Sequence, residues 1–366
     1  MMVKTSAQES ITTGQAAVIV ANYILGVGIL TLPRTAAEKV KTPDIWLSVI
    51  IGGVIAILAG IIIVKLSQQF PNKTFYEYSQ EIIGKWLGCT LNLIVIVYFI
   101  LMSSVMLRAM AEVNILFLLE GTPRWAMIMV FMWVGFYLLI GGLSAITRLF
   151  QIIFPITVII FFMTAAMSIK IFDINNLRPV LGLGLGPVLR GVKTTALSFS
   201  GFEIMLVLVA FMKNPKTAKK AVLFGIGFPI LIYVTTAIMV IGSLTVEGVI
   251  SLAWPTITLI KSIEFPGIFF ERYESLLLAI WVMQIFTTYV ITHYAAALGA
   301  AQSMKKDIRP FLYIMLPVIY IVAMLPRNIN DLFKLSENIG NMALVLFVVL
   351  PVLLLGMAKL RGDATK

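Results

Sequence analysis

NYILGVGILTLPR, residues Asn22 to Arg34, lies inside the first strongly apolar segment of the chain and has Gly26-Val27-Gly28 at its middle. Two residues without side chains flank one whose branched side chain disfavours the helix interior. The stretch is therefore a place for a helix to come apart. In a bilayer such an opening leaves N–H and C=O groups without intrahelical partners, which is tolerated only where protein, water or a ligand replaces them. A break here marks a binding site, with freed N–H groups near Gly28 and Ile29 turning a positive helix end toward an anionic group such as an amino acid carboxylate. The competing reading of the two glycines is close helix packing, which small residues permit in membranes.

Composition sets the solvent. Of 366 residues 60% are hydrophobic and 12% charged, and the mean hydropathy of +1.00 lies far outside the soluble range, so the chain reads as a polytopic membrane protein in a lipid bilayer. The net charge of +11 does not point to nucleic acid, because the basic residues stand at the ends of apolar runs and form no aromatic-interleaved patch. One cysteine, Cys89, and one histidine, His293, exclude an internal disulfide and a thiolate or histidine-rich metal site, so no metal and no cofactor is expected. The polar start MMVKTSAQESITTGQ has no apolar run ending in a cleavage site, and the first span is expected to act as its own insertion signal.

Apolar runs of about 18 residues or more give ten spans, since a helix needs about 20 residues to cross the hydrocarbon. They run approximately over Thr13–Ala36, Ile45–Leu66, Trp86–Met110, Arg124–Ile140, Thr147–Ile169, Pro187–Met212, Lys219–Leu244, Arg272–Gln302, Arg309–Leu325 and Leu332–Ala358. With both termini in the cytoplasm, about 15 of the 28 basic residues fall inside, including the clusters Lys213, Lys216, Lys219, Lys220 and Lys305, Lys306, Arg309. Two long connections, Gln68 to Gly84 and Val246 to Phe270, follow the second and the seventh span. Their layout fits a single transmembrane domain of two five-helix repeats, approximately 13–170 and 187–358, related by inversion. Such folds build a midplane site where the first helix of each repeat is discontinuous. The sixth span supplies the second break: Phe199, Ser200, Gly201, Phe202 and Glu203 stand where lipid-facing sequence would be Leu and Val.

Glu203 is the sharpest residue, because a carboxylate near the bilayer centre costs a few kcal/mol and must face a cavity or a partner. It is read as a counter-charge for a ligand amino group, a proton carrier or a polar brace of the unwound segment; the bland alternative is a protonated group bonded between helices. Tyr98, central in the third span with Asn92, Ser103 and Ser104 around it, needs a hydroxyl partner, on another helix or in the cavity. The eighth span carries a polar stripe of Thr287, Thr288, Tyr289, Thr292 and His293. Thr288 and Thr292 share a face, and the bland reading bonds them back to the preceding turn. His293 is either a satisfied structural histidine or a proton relay. Arg108, four residues before Glu112, is expected to snorkel or cap a helix end, like Arg148. Pro155, Pro229, Pro317 and Pro351 announce kinks. The Gly182-x-Gly184-x-Gly186 run lacks the context of a phosphate loop. No nucleophile, base and orienting group converge at a recognisable spacing, so no enzyme is expected.

The glycine-broken LGVGILTLPR and the FSGFE of the sixth span resemble the amino acid, polyamine and organocation transporter superfamily. LPRTAAEKVKTPDIWLS, FPNKTFYEYSQEIIGKWLG and the ten-span length resemble, more narrowly, the endospore germination permease family, the B subunit of GerA-type nutrient germinant receptors. The resemblance spans essentially the whole chain. It implies an all-α, LeuT-like five-plus-five inverted repeat with unwound helices 1 and 6, located in the inner membrane of a bacterial spore. It also implies a nutrient ligand such as an amino acid, and A and C subunits as partners. On the matching positions, Gly26 to Gly28 and Phe199 to Glu203 would carry the ligand. Some proton-coupled relatives use a lysine in the fifth helix. This chain has none inside that span, Lys170 being at its end, which favours sensing over pumping. The alternative function is proton- or sodium-coupled transport of amino acids or related amines.

Overall fold

The computed structural model describes residues 10–26, 28–117, 119–262 and 273–360, without the side chains of 273–277. Over the described residues, each of the ten apolar segments lies on a helix or a bent pair of helices. The first forms α1 (Thr13–Leu25) and α2 (Gly28–Val40), whose axes differ by 53°. There follow α3 (Ile45–Ser67), α4 (Phe75–Ile83), α5 (Lys85–Phe117), α6 (Arg124–Ile140) and α7 (Gly142–Ser168). The sixth segment bends by 44° between α8 (Leu185–Ser198) and the helical turns of Phe202–Phe211, which contain α9 (Met205–Leu208). The remainder forms α10 (Ala218–Ser251), α11 (Pro255–Lys261), α12 (Tyr273–Met304), α13 (Ile308–Met324), α14 (Ile329–Leu344) and α15 (Leu350–Leu360). Among the described residues six helices are long and apolar enough to cross a bilayer, or eight if each bent pair is one span. Arg124–Ile140 and Ile308–Met324 are shorter apolar helices.

Burial sorts these helices. In the most apolar window of α12, 83% of residues are buried, against 17% in that of α7. That contrast puts the polar stripe of α12 in the middle of the bundle. It leaves α7 with Ile152, Ile156, Ile159 and Met163 exposed along one side, the spacing of a single helix face turned to lipid.

Both long connections contain helix where the sequence reading saw only a link. Within Gln68 to Gly84, α4 is started by Thr74, whose N–H bonds to the Glu77 carboxylate at 3.0 Å, half of a capping box. Its aromatic face then packs inward. Tyr76 donates to the Ala295 carbonyl at 3.0 Å, and Asn92 Nδ2 donates to the Tyr76 carbonyl at 2.7 Å. Asn92 thus ties α4 to α5 and does not stand beside Tyr98. Within Val246 to Phe270, helical backbone resumes after a departure at Thr245 (φ 60°, ψ 168°), one residue past the expected end of the seventh span, and α11 follows. Residues 263–270 lie outside the described set.

The start of the first bent pair is fastened to the end of the second. Ile11, ahead of α1, forms a parallel bridge with Met212: its N–H donates to the Phe211 carbonyl at 2.8 Å, and its carbonyl accepts from Lys213 N–H at 2.9 Å. Thr13 and Thr217 hydroxyls meet at 2.6 Å.

Candidate functional site

A helix that stops inside an apolar bundle leaves its last carbonyls without partners. At the end of α1 three consecutive ones are taken by side chains of other helices. Gln284 Nε2 donates to the Asn22 carbonyl at 3.1 Å, Thr288 Oγ1 to that of Tyr23 at 3.0 Å, and Tyr233 O–H to that of Ile24. Across the break, Thr256 Oγ1 donates to the Ile29 carbonyl at 2.9 Å. The opening at Gly26 and Gly28 is thus held by α10, α11 and α12. Val27 lies outside the described residues.

The glycines fit this arrangement by size. A Cβ on Gly26 would stand 2.4 Å from Thr288 Oγ1, and one on Gly28 would stand 2.1 Å from the Tyr233 hydroxyl. In the second break Gly201 has φ 142°, a conformation that L residues rarely adopt. Its N–H donates to Glu203 Oε2 at 2.6 Å.

Glu203 joins the two breaks. It is fully buried, and its Oε1 accepts from the Tyr23 hydroxyl of α1 at 2.9 Å and the Tyr98 hydroxyl of α5 at 2.6 Å. A carboxyl group accepting these hydrogen bonds meets the cost of its burial through its donors, and its own backbone N–H adds to them. Tyr98 is fixed in turn by the Phe347 ring, with centroids 4.7 Å apart. Of the other second-break residues, Phe199 packs against Tyr233 with ring centroids 5.1 Å apart and planes tilted by 48°, while Ser200 and Phe202 line a shallow cleft shared with α3 and α14.

The α12 stripe divides among neighbours instead of converging on Glu203. Thr288 faces the end of α1, whereas Thr292 Oγ1 meets Ser103 Oγ of α5 at 2.7 Å and bonds back to the Thr288 carbonyl at 2.8 Å. Tyr289, about 100° further around the helix than Thr288, turns toward α6, where a Cβ on Gly135 would lie 2.4 Å from its ring. It is not among the groups that surround Glu203. His293 is held at both nitrogens, Nδ1 at 3.2 Å from the Tyr289 hydroxyl and Nε2 at 3.2 Å from the Leu312 carbonyl, the arrangement of a structural histidine. Arg108 neither snorkels nor caps. It is buried, with Nε 2.8 Å from Glu112 Oε1, and exposed Arg124 reaches the same oxygen at 3.0 Å.

Tyr23, Tyr233 and Gln284 escaped the sequence reading. The signal existed: both tyrosines are phenols in the middle of apolar runs, the argument applied to Tyr98, and Gln284 extends the polar stripe one turn before Thr288. We predict that Tyr98→Phe destabilises the protein by about 1 to 3 kcal/mol. Combined with Tyr23→Phe it should lose a different amount from the sum, because both hydroxyls share Oε1. Thermal unfolding of the purified variants checks this, and strict additivity of small effects would count against a shared acceptor.

A family model described as "Spore germination protein" matches residues 10–332. The chain is 54% identical over 361 residues to the spore germination protein YndE of Bacillus subtilis (strain 168), covering 99% of each sequence. Among solved structures it is similar to MhsT in complex with L-phenylalanine, with a TM-score of 0.73, 12% identity, and coverage of 98% of this chain and 92% of that one. It is also similar to Mhp1, a nucleobase-cation-symport-1 family transporter in a closed conformation with bromovinylhydantoin bound, with a TM-score of 0.68, 12% identity, and coverage of 99% and 81%. At that identity the likeness is one of fold.

Proposed function

The chain belongs to the spore germination protein family, and on that premise we propose that it is the nutrient-sensing membrane subunit of a spore germinant receptor. It is an integral membrane protein with a transporter fold, of a permease family and not an enzyme. We read it as ten spans in a five-plus-five inverted repeat. The six long helices, the two bent pairs and the two shorter apolar helices make up that number. The bent pairs open each half, and α4 and α11 occupy the same place in each, between the second and third span. Both termini are assigned to the cytoplasm, and the bilayer to the inner membrane of the spore.

The single observation that carries the reading is the Glu203 carboxyl, buried between the two breaks and held by Tyr23, Tyr98 and the Gly201 N–H. A small nutrient, an amino acid in the first instance, binds there between the broken first and sixth spans, over Gly26 to Ile29 and Phe199 to Glu203. Its ammonium group pairs with the Glu203 carboxylate in competition with the donors already there. Binding stabilises one arrangement of the bundle through differential affinity, and the A and C subunits receive the change.

The second reading is secondary transport, favoured by the fold shared with Mhp1. Radiolabelled amino acids offered to proteoliposomes containing this chain separate the two. Saturable binding without accumulation is the expected result; accumulation driven by a proton or sodium gradient would replace sensing with transport.

A further inference from the structure

An apolar cleft in the described structure lies away from Glu203. It measures about 670 Å³, counted to its open mouth, and is walled by α1, α2, α7, α10, α11 and α12 through Leu25, Ile29, Phe161, Met239, Leu259 and Trp281. Leu25 stands about 200° around α1 from Tyr23, so the cleft and the Glu203 junction occupy opposite faces of the first helix. None of Tyr23, Tyr98 and Gly201 lines it.

Its polar lining groups are already bonded to the protein. Thr236 and Ser168 hydroxyls donate to carbonyls of their own helices at 2.8 Å, and Thr164 to that of Ile160 at 2.7 Å. Thr256 is spent on Ile29, Thr157 donates to Gln284 Oε1 at 3.1 Å, and Gln284 Nε2 is spent on Asn22. The remaining surface is aliphatic and aromatic, and among the described residues no lysine or arginine lines the cleft to receive a lipid headgroup.

We infer that this cleft is a second binding site, for a small uncharged apolar molecule. An occupant touches Leu25 and Ile29, on either side of the first break, and so favours whichever arrangement of the bundle keeps the cleft open. The site stands independently of the nutrient reading.

Bromobenzene is a direct probe, because its heavy atom quenches indole fluorescence and Trp281 lines the cleft. Titrated into the purified full chain in lipid nanodiscs, it is expected to give a saturable quenching component on top of linear partition into lipid. That component should vanish in Trp281→Phe, which removes the reporter. It should also vanish in Ala165→Phe, which fills the cleft from α7, and survive in Trp133→Phe on the exposed surface. Thr236→Leu, which fills the cleft from α10 and gives up only an intrahelical bond, serves if Ala165→Phe fails to fold. Purely linear quenching of the wild type, or saturable quenching that persists with the cleft filled, would overturn the inference. So would a phospholipid that native mass spectrometry finds bound to the wild type and absent from the filled variant.

Discussion

Glutamine in place of Glu203 is expected to give a folded, membrane-inserted protein that no longer answers its nutrient. The amide has the same shape as the carboxyl. Its oxygen can accept from the Gly201 N–H and its nitrogen can donate to the two tyrosine oxygens that now face Oε1. What disappears is the charge offered to a ligand ammonium, and a charge-assisted bond of about 1.5 to 3 kcal/mol corresponds to roughly a 10- to 100-fold loss of affinity. Leucine should behave differently. It leaves three buried donors without an acceptor, at about 1 to 3 kcal/mol each, so Glu203→Leu is expected to unfold at much lower temperature or fail to accumulate. Binding isotherms and thermal unfolding of the two variants distinguish these effects, and a wild-type dose response in a well-expressed Glu203→Gln protein would remove Glu203 from the ligand site.

The second large effect is expected at Gly201. Alanine there must adopt φ 142°, and its Cβ would lie 2.7 Å from Ile24 Cγ1 and 3.1 Å from the Ile24 backbone nitrogen. Backbone strain of about 1 to 3 kcal/mol adds to overpacking of similar size, so Gly201→Ala is predicted to cost roughly 2 to 4 kcal/mol. It should also separate the two breaks, because the first helix must move away to make room. Gly227→Ala is the control. That glycine lies inside α10, where a Cβ would meet no neighbour within 4 Å, and the change should stabilise by about 0.5 to 1 kcal/mol. Equal melting temperatures for the two variants would show that the turn at Gly201 does not constrain the structure.

The sequence by itself determined the apolar helical segments, their order and the two places where a helix stops, but not the short helices α4 and α11 within the two long connections. Apolar run length is a local property, and so is the weakness of a glycine pair or of Phe199-Ser200-Gly201 in a helix interior. It also marked Glu203, because an ionisable group in an apolar run is conspicuous before any fold is known. The tertiary structure alone decided what each polar group meets. Rotation about a helix axis and the crossing of neighbours are set by packing over the whole bundle, so nothing near Glu203 in sequence announced Tyr23, 180 positions away. Nor did anything near Ile24 announce Tyr233. The same rotation sent Tyr289 toward α6 while its neighbour Thr288 closed the end of α1, and it buried Arg108 against Glu112 instead of letting it reach the interface. Where a helix breaks follows from its own residues; which groups fill the break follows from the helices packed around it, because an unpaired buried carbonyl is satisfied by whatever donor the fold brings within reach.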